Sequence, residues 1–442
     1  MNKGAFVYVI FLSLFSVLIF PNSYRIIVNV DVYYHLNLAR EIIRSGESLV
    51  EKHFWLFAPD GMPNTYPPLF HLLLALLSFW DENNLYPTTI MWQVLAYPIL
   101  LLLFYYYIEK CHGEKTAVVA LAFMATHFTF IRRFHEAVPE TLEGILLVVL
   151  LLCYRRGATL LSSLILILMF LNHPWAPFLI LGALVSHTLI IRKNRRQLTA
   201  YLITGAAGLA IQLGPFFLHN YSCILPTEFA FRTAGQCSPD MIRGILGYTL
   251  FHQSIPSAIG AVFIFFVLIM FGLRGHKMPN DVLTHYLVML TPLLFTFSGR
   301  YVISAIFPLS VLAAKSVVRK EMTSSVISLY LVYSIIASLA FIPYGLCDII
   351  VNPPFMDKGT QCREDIFNWV INNTPEDEII ATPSMYEGYQ IYYYTNRRTK
   401  LIEEDENVST YYLKIFELNR DYTPPGWRTS LKCNSMLLGI RD

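Results

Sequence analysis

The chain has 442 residues, 55% of them hydrophobic and 14% charged, where a soluble domain carries about 25% charged residues. That balance excludes an ordinary soluble enzyme and predicts a polytopic membrane protein. The formal net charge of +2 gives no electrostatic case for nucleic-acid binding, and the seven cysteines form no CxxC pair of the zinc or thioredoxin kind.

The first apolar segment, residues 4–20, is long enough to cross a bilayer. Pro21-Asn22-Ser23-Tyr24 follows it in place of a small-residue cleavage site, so it is expected to be a retained span. Next comes Val30-Asp31-Val32-Tyr33-Tyr34-His35, opening a helix expected over Val32–Ser45. A carboxylate at a membrane boundary loses part of its solvation and favours a cation, a metal or a proton donor nearby. The competing structural role for Asp31 is a helix cap, bonding free backbone N–H groups. His35 is open to phosphate or metal binding, or is one polar position of an amphipathic helix. Tyr33 and Tyr34 are expected in the aromatic belt.

Tyr66-Pro67-Pro68-Leu69 opens a further apolar stretch that ends at Trp80-Asp81-Glu82, fifteen residues in all. It is short for a crossing, and if it spanned, every later basic loop would change sides. It is therefore expected to lie flat on the outer interface as a helix over Leu69–Trp80, with Trp80 as an anchor. The first outer loop then runs over 21–86. Further spans are expected at 87–108, 116–131, 141–153, 158–172, 175–191, 199–218, 255–273, 282–297, 301–314 and 325–343, about eleven in total. Arg155-Arg156, Arg192 to Arg196, Arg274 with Lys277, and Lys315 with Arg319-Lys320 are placed in the cytoplasm by the positive-inside rule. Lys3 then puts the N-terminus inside, and the tail lies outside.

On this topology Asp31, Glu136 and Glu140 share the outer side, each at the mouth of a span. Glu140 follows Pro139, so a helix-dipole role is compatible with a functional one. Arg132 and Arg133 ease the approach of an anion or anchor to headgroups. Ser298-Gly299-Arg300-Tyr301 is a short outer turn, and 219–254 is a long outer segment able to cover a substrate. Asn172-His173-Pro174-Trp175 is a further outer turn. The tail changes composition: 363–371 has helical apolar spacing, Asn373 to Asp377 is a turn and Glu378 to Thr382 reads as a buried strand. Two domains are thus expected, a transmembrane one over 1–343 and a small outer α/β one over 344–442.

These residues resemble the GT-C superfamily of membrane glycosyltransferases, closest to archaeal relatives of the oligosaccharyltransferase catalytic subunit and to protein mannosyltransferase-like enzymes. VDVYYHLNLAREI is similar to the family's first acidic motif, YPPLFHLLLALL to its proline-opened interfacial helix, EAVPETLEG to its second acidic motif, and SGRYVISAIFPL to its arginine-bearing segment. The first motif carries a single acid, Asp31 after Asn29, and the tail has no WWDYG acceptor-recognition sequence. The resemblance implies a sugar donor on a polyprenyl phosphate or diphosphate, with a glycan, lipid or protein acceptor at the outer membrane face.

The chemistry assigns roles to match. Asp31 serves as general base on an acceptor hydroxyl, or Asp31, Glu136 and Glu140 hold a divalent Mg or Mn ion by oxygen ligands. Glu140 is the second catalytic acid. Arg300 is expected to bind the lipid phosphate through its planar fork or to snorkel to the interface, and His35 and Arg133 are expected as further substrate-binding residues. The readings that compete are a transporter or lipid flippase, and a non-catalytic membrane scaffold of the same architecture.

Overall fold

A computed structural model of the chain describes residues 3–19, 31–218 with short gaps between 48 and 65 and at 135 and 175, 281–319 except 297, and 365–401 except 383–384. It also describes the strands at 413–417, 427–432 and 436–441 and a few single positions between 265 and 332. The expected spans at 255–273 and 325–343 and the segment 219–254 fall largely or wholly outside the described residues. So do Cys347, Cys362 and Cys433.

The chain divides into two compact units: Met1–Ile26, Thr65–Phe70 and Thr89–Ile336 form the first, and Ile27–Asn64, His71–Thr88 and Ala337–Asp442 the second. The first unit is helical. Its helix α1 is Lys3–Ile19; α2 (Asp31–Ser45) and α3 (Leu69–Leu77) come next in the chain, α2 and most of α3 belonging to the second unit. Then come α4 (Leu85–His112), α5 (Glu114–Thr126), α6 (Phe128–Phe134), α7 (Pro139–Arg155), α8 (Thr159–Asn172), α9 (Ala176–His187) and α10 (Arg195–Leu218). Helices α11 (Val282–Thr296) and α12 (Ser298–Arg319) complete the long ones among the described residues of this unit. Glu82–His112 is, among the described residues, the one helical stretch long and apolar enough to cross a membrane by itself; Thr159–Asn172, Ala176–Arg192 and Val282–Thr291 are shorter apolar helices.

Local chemistry sets several boundaries. Asp81 caps the turn before α4 by accepting from the Asn83 N–H at 3.0 Å. Pro139 opens α7 at its first position, where its missing N–H costs nothing and its fixed φ suits a helix. The segment expected as one span over 116–131 is two helices, because His127 takes an extended backbone (φ −75°, ψ 116°) between α5 and α6. The helix expected to reach Trp80 stops at Leu77. Phe79 and Trp80 both hold positive φ, 56° and 61°, where a helix cannot continue. Under the α6–α7 turn lies an aromatic cluster: Phe130 stacks on Phe134 at 4.2 Å, and Phe307 meets Phe104 and Phe130 edge-on at 5.5 Å each.

The second unit gathers α2, most of α3, a helix at 365–373 (α13), a helix over Met385–Thr395 (α14) and a five-stranded sheet. Its strands are β3 (Ile379–Thr382), β4 (Arg398–Leu401), β5 (Leu413–Glu417), β6 (Trp427–Lys432) and β7 (Met436–Arg441), in the order β4-β3-β5-β7-β6. A two-stranded β1–β2 pair (Lys52–His53 with Met62–Pro63) precedes them in the chain. β3 runs parallel to both neighbours, while β7 pairs antiparallel with β5 and β6.

Helix α2 corrects an expectation. Tyr33 and Tyr34 are 6% and 5% exposed, and every residue from Val32 to Arg40 is buried. Tyr33 shares a hydroxyl hydrogen bond with Tyr394 at 2.8 Å, and Tyr34 packs on Tyr389 at 5.5 Å. The tyrosines are thus core residues packed on α14, and α2 is not a one-sided interfacial helix.

Candidate active site

The candidate residues of the first unit centre on the link between α6 and α7. Arg133 lies next to the end of α6, and the turn after it returns the chain at Glu136, whose N–H donates to the Arg133 carbonyl at 3.2 Å. The Arg133 guanidinium bridges two acids: Nη1 donates to Glu136 Oε2 and Nη2 to Glu140 Oε1, each at 2.6 Å. Glu136 is buried, and Arg133 and Glu140 are mostly so. Glu140 sits in the first turn of α7, where the helix dipole favours an anion.

The start of α7 is held by two other helices. Asn172, the last residue of α8, is wholly buried and donates its amide to the Pro139 carbonyl at 2.8 Å and to Glu143 Oε2 at 3.2 Å. Trp92 of α4 donates its indole N–H to Thr141 Oγ1 at 2.7 Å, and that hydroxyl in turn donates to the Val138 carbonyl at 2.7 Å. Gly144 lets α6 and α7 approach: a Cβ there would stand 2.7 Å from the Phe134 ring. Asn172 and Trp92 were not among the expected site residues. A buried asparagine closing an apolar span is the signal that marks the first; nothing in the sequence singles out the second.

In the second unit, Asp31 is the first residue of α2 and half-buried. His35 lies one turn further on and is 5% exposed. Its Nδ1 is 2.9 Å from Nε2 of His71, in α3. Arg40 fixes the same helix from its other end. Its guanidinium donates to the carbonyls of Tyr393 at 2.5 Å and Tyr392 at 2.9 Å and to Asn37 Oδ1 at 3.2 Å, and it lies 5.1 Å over each of the two tyrosine rings. Burial, and after it the neighbouring Arg44, lower the pKa of that guanidinium.

Arg300 is the third residue of α12, and its side chain lies outside the described residues. Among the described residues no three or more His, Cys, Asp or Glu are grouped to hold a metal ion. Glu136 and Glu140 stand together but share Arg133, and Asp31 belongs to the other unit.

No protein-family model and no curated protein matches the sequence. Solved structures do match the fold. The oligosaccharyltransferase of Archaeoglobus fulgidus, tethered with an acceptor peptide, is similar at a TM-score of 0.58 and 12% identity, over 91% of this chain and 64% of its own. AglB of the same organism, in complex with an inhibitory peptide and a dolichol-phosphate, is similar at 0.58 and 12% identity, over 94% and 69%. ArnT of Cupriavidus metallidurans, bound to undecaprenyl phosphate, is similar at 0.59 and 12% identity, over 99% and 98%. The chain therefore spans 64% of the length of the first of these and nearly all of ArnT. Its fold is therefore similar to that of these oligosaccharyltransferase and ArnT structures.

Proposed function

We propose that the protein is an integral, multi-pass membrane glycosyltransferase that moves a sugar from a polyprenyl-phosphate-linked donor to an acceptor at the outer face. The observation that carries the reading is the Glu136–Arg133–Glu140 cluster at the opening of α7, in a chain with the GT-C fold. Two proteins of that fold have been solved with dolichol-phosphate and with undecaprenyl phosphate, which supports a lipid-phosphate donor. About eleven spans, a cytoplasmic N-terminus and an outer tail remain part of the proposal.

In the proposed reaction an acceptor hydroxyl attacks the sugar's anomeric carbon. The bond from that carbon to the phosphate oxygen breaks, and its electron pair leaves with the phosphate. Asp31 takes the hydroxyl proton as general base, and Glu140, pre-set by Arg133 and Pro139, orients the acceptor. Arg300, His35 and Arg133 answer the negative charge of the lipid phosphate by charge-assisted hydrogen bonds. Dependence on Mg or Mn is a variant of this reading, which loss of transfer on chelation and its return with added metal would support.

The second reading is a non-catalytic scaffold of the same fold, favoured by the way Arg133 already neutralises much of the acidic cluster. Labelled sugar on polyprenyl phosphate, offered with a panel of glycan, lipid and peptide acceptors, decides between them. Transfer by the wild type that falls by about 100-fold in Asp31→Asn, at unchanged yield, supports the enzyme reading. No transfer to any acceptor favours the scaffold. Coupled uphill movement of a solute would instead favour the transporter or flippase reading.

A further inference from the structure

The end of α3 is closed by two hydrogen bonds that turn the chain back. The Trp80 N–H donates to the Ala75 carbonyl at 2.9 Å, and the Phe79 N–H donates to the Leu76 carbonyl at 3.0 Å. This pair of bonds is the Schellman cap, which needs a left-handed residue at the place Phe79 occupies. Phe79 and Trp80 stand there at φ 56° and 61°. Glycine fills such a place without strain, and the chain uses it elsewhere: Gly46 after α2 and Gly113 after α4 hold φ 70° and 85°. A bulky side chain on a left-handed backbone is strained, and strain of this kind points to a use for the side chain itself.

Packing inside the fold does not supply that use. Phe79 is 89% exposed and Trp80 44%, and Leu76, one turn before Phe79, is 63% exposed. Three large apolar side chains thus stand out from one turn, and apolar surface left in water is unfavourable. The path of the chain indicates what covers them. Two residues after Trp80 begins Glu82–His112, the helical stretch long and apolar enough to cross a membrane. The turn therefore lies at the end of that stretch, where a crossing helix meets headgroups. Asp81 and Asn83 follow directly, both exposed, and the Asn83 N–H donates to Asp81 Oδ1 at 3.0 Å. Aliphatic and aromatic side chains followed at once by polar ones suit a lipid interface, where tryptophan sits at headgroup level.

Resting on the integral, multi-pass reading above, we propose that Leu76, Phe79 and Trp80 form a wedge inserted into the phospholipid interface at the level where α4 begins. A glycine at position 79 would hold the turn better but bring no ring to the lipid.

The test uses the full chain in nanodiscs of synthetic phosphatidylcholine, with p-benzoylphenylalanine in place of Phe79 and, as a control, in place of Asn83. A peptide acceptor is present throughout. On illumination the probe at position 79 is expected to join to a phosphatidylcholine acyl chain, read as the mass of a lipid-bearing peptide, and the probe at position 83 to lose that adduct. Equal lipid adducts at both positions overturn the proposal, as do cross-links from position 79 to a second copy of the chain or to the peptide in place of lipid. A second measurement reads the strain. Phe79→Gly is expected to unfold in detergent at or above the wild-type temperature, because it relieves the left-handed phenylalanine. A clear fall would show that the ring is packed within the fold, and overturns the wedge. If the chain resists alkaline extraction from membranes but gives no lipid adduct at position 79, only this inference falls. If alkali strips the chain from the membrane, the multi-pass reading falls and takes the wedge with it. A lipid adduct in a chain that transfers no sugar supports the wedge and removes the transferase reading alone.

Discussion

The Asn172 amide donates to the Pro139 carbonyl at 2.8 Å, so the last residue of α8 holds the first residue of α7. The same amide reaches Glu143 at 3.2 Å. Glu140 lies between those two points on one helical turn, and its place is therefore set from a helix that bears no expected catalytic acid. Asn172→Ala removes both bonds inside a buried site. It is expected to cost about 2 kcal/mol of stability and to lower kcat more than donor affinity. Thermal unfolding in detergent and steady-state kinetics check the two effects. Unchanged kcat in a destabilised protein would reduce Asn172 to a packing residue.

Arg133 bonds both Glu136 and Glu140, each at 2.6 Å. Removing one partner of a buried ion pair leaves the other charge uncompensated, at about 3–5 kcal/mol. Arg133→Met is therefore expected to destabilise strongly, and Arg133→Met with Glu136→Gln to recover part of that loss. Lysine cannot offer two N–H groups in one plane, so Arg133→Lys should keep one bond and lose the other. A double-mutant cycle by thermal unfolding tests this, and strict additivity would show that the bridge contributes nothing.

Gly144 faces the ring of Phe134 across the α6–α7 contact, and a Cβ would sit 2.7 Å from it. In an exposed helix Gly→Ala stabilises by about 1 kcal/mol. Here the sign is expected to reverse, because Phe134 is locked against Phe130 and cannot retreat cheaply. Gly144→Ala should lower the unfolding temperature, and Gly144→Ala with Phe134→Leu should restore it. A stabilised single variant would mean that the two helices part without cost.

Arg40 ties α2 to the last turn of α14 through two backbone carbonyls. Cations are favoured at helix C-termini, and a buried guanidinium with carbonyl partners is costly to replace. Arg40→Met is expected to lower stability by about 2–3 kcal/mol and to raise amide hydrogen exchange in both α2 and α14. Faster exchange in α2 alone would show that α14 stands without it.

Much of the scaffold is legible in local chemistry. Pro139 announces α7, Pro67-Pro68 announces α3, and Asp31 opens α2 where the acid stands. What is not legible comes from contacts between distant segments. Asn37 and Arg40 are polar residues of α2, yet both are buried, because the carbonyls of Tyr389, Tyr392 and Tyr393 receive them from about 350 residues away. The i,i+3 spacing of Arg133 and Glu136 suggests their pair, but the Glu140 bond depends on the turn before Pro139. His127 breaks α5 from α6 with neither Gly nor Pro to mark it.

Arg300 is the residue on which the donor reading is most exposed to test. It is third in α12, so it stands in the first turn of a helix whose free N–H groups favour an anion. A guanidinium makes two parallel bonds to phosphate oxygens, a geometry that an ammonium cannot reproduce. Arg300→Lys is therefore expected to lose much of the transfer while keeping the charge, and Arg300→Ala to lose more. If the bonds are equally strong before and during phosphate departure, donor KM rises and kcat stays. If they strengthen as negative charge builds on the leaving oxygen, kcat falls and KM stays. Measuring both constants at saturating acceptor separates the cases. Equal, wild-type constants in both variants would make Arg300 a headgroup anchor and leave the lipid phosphate to be met by His35 and Arg133.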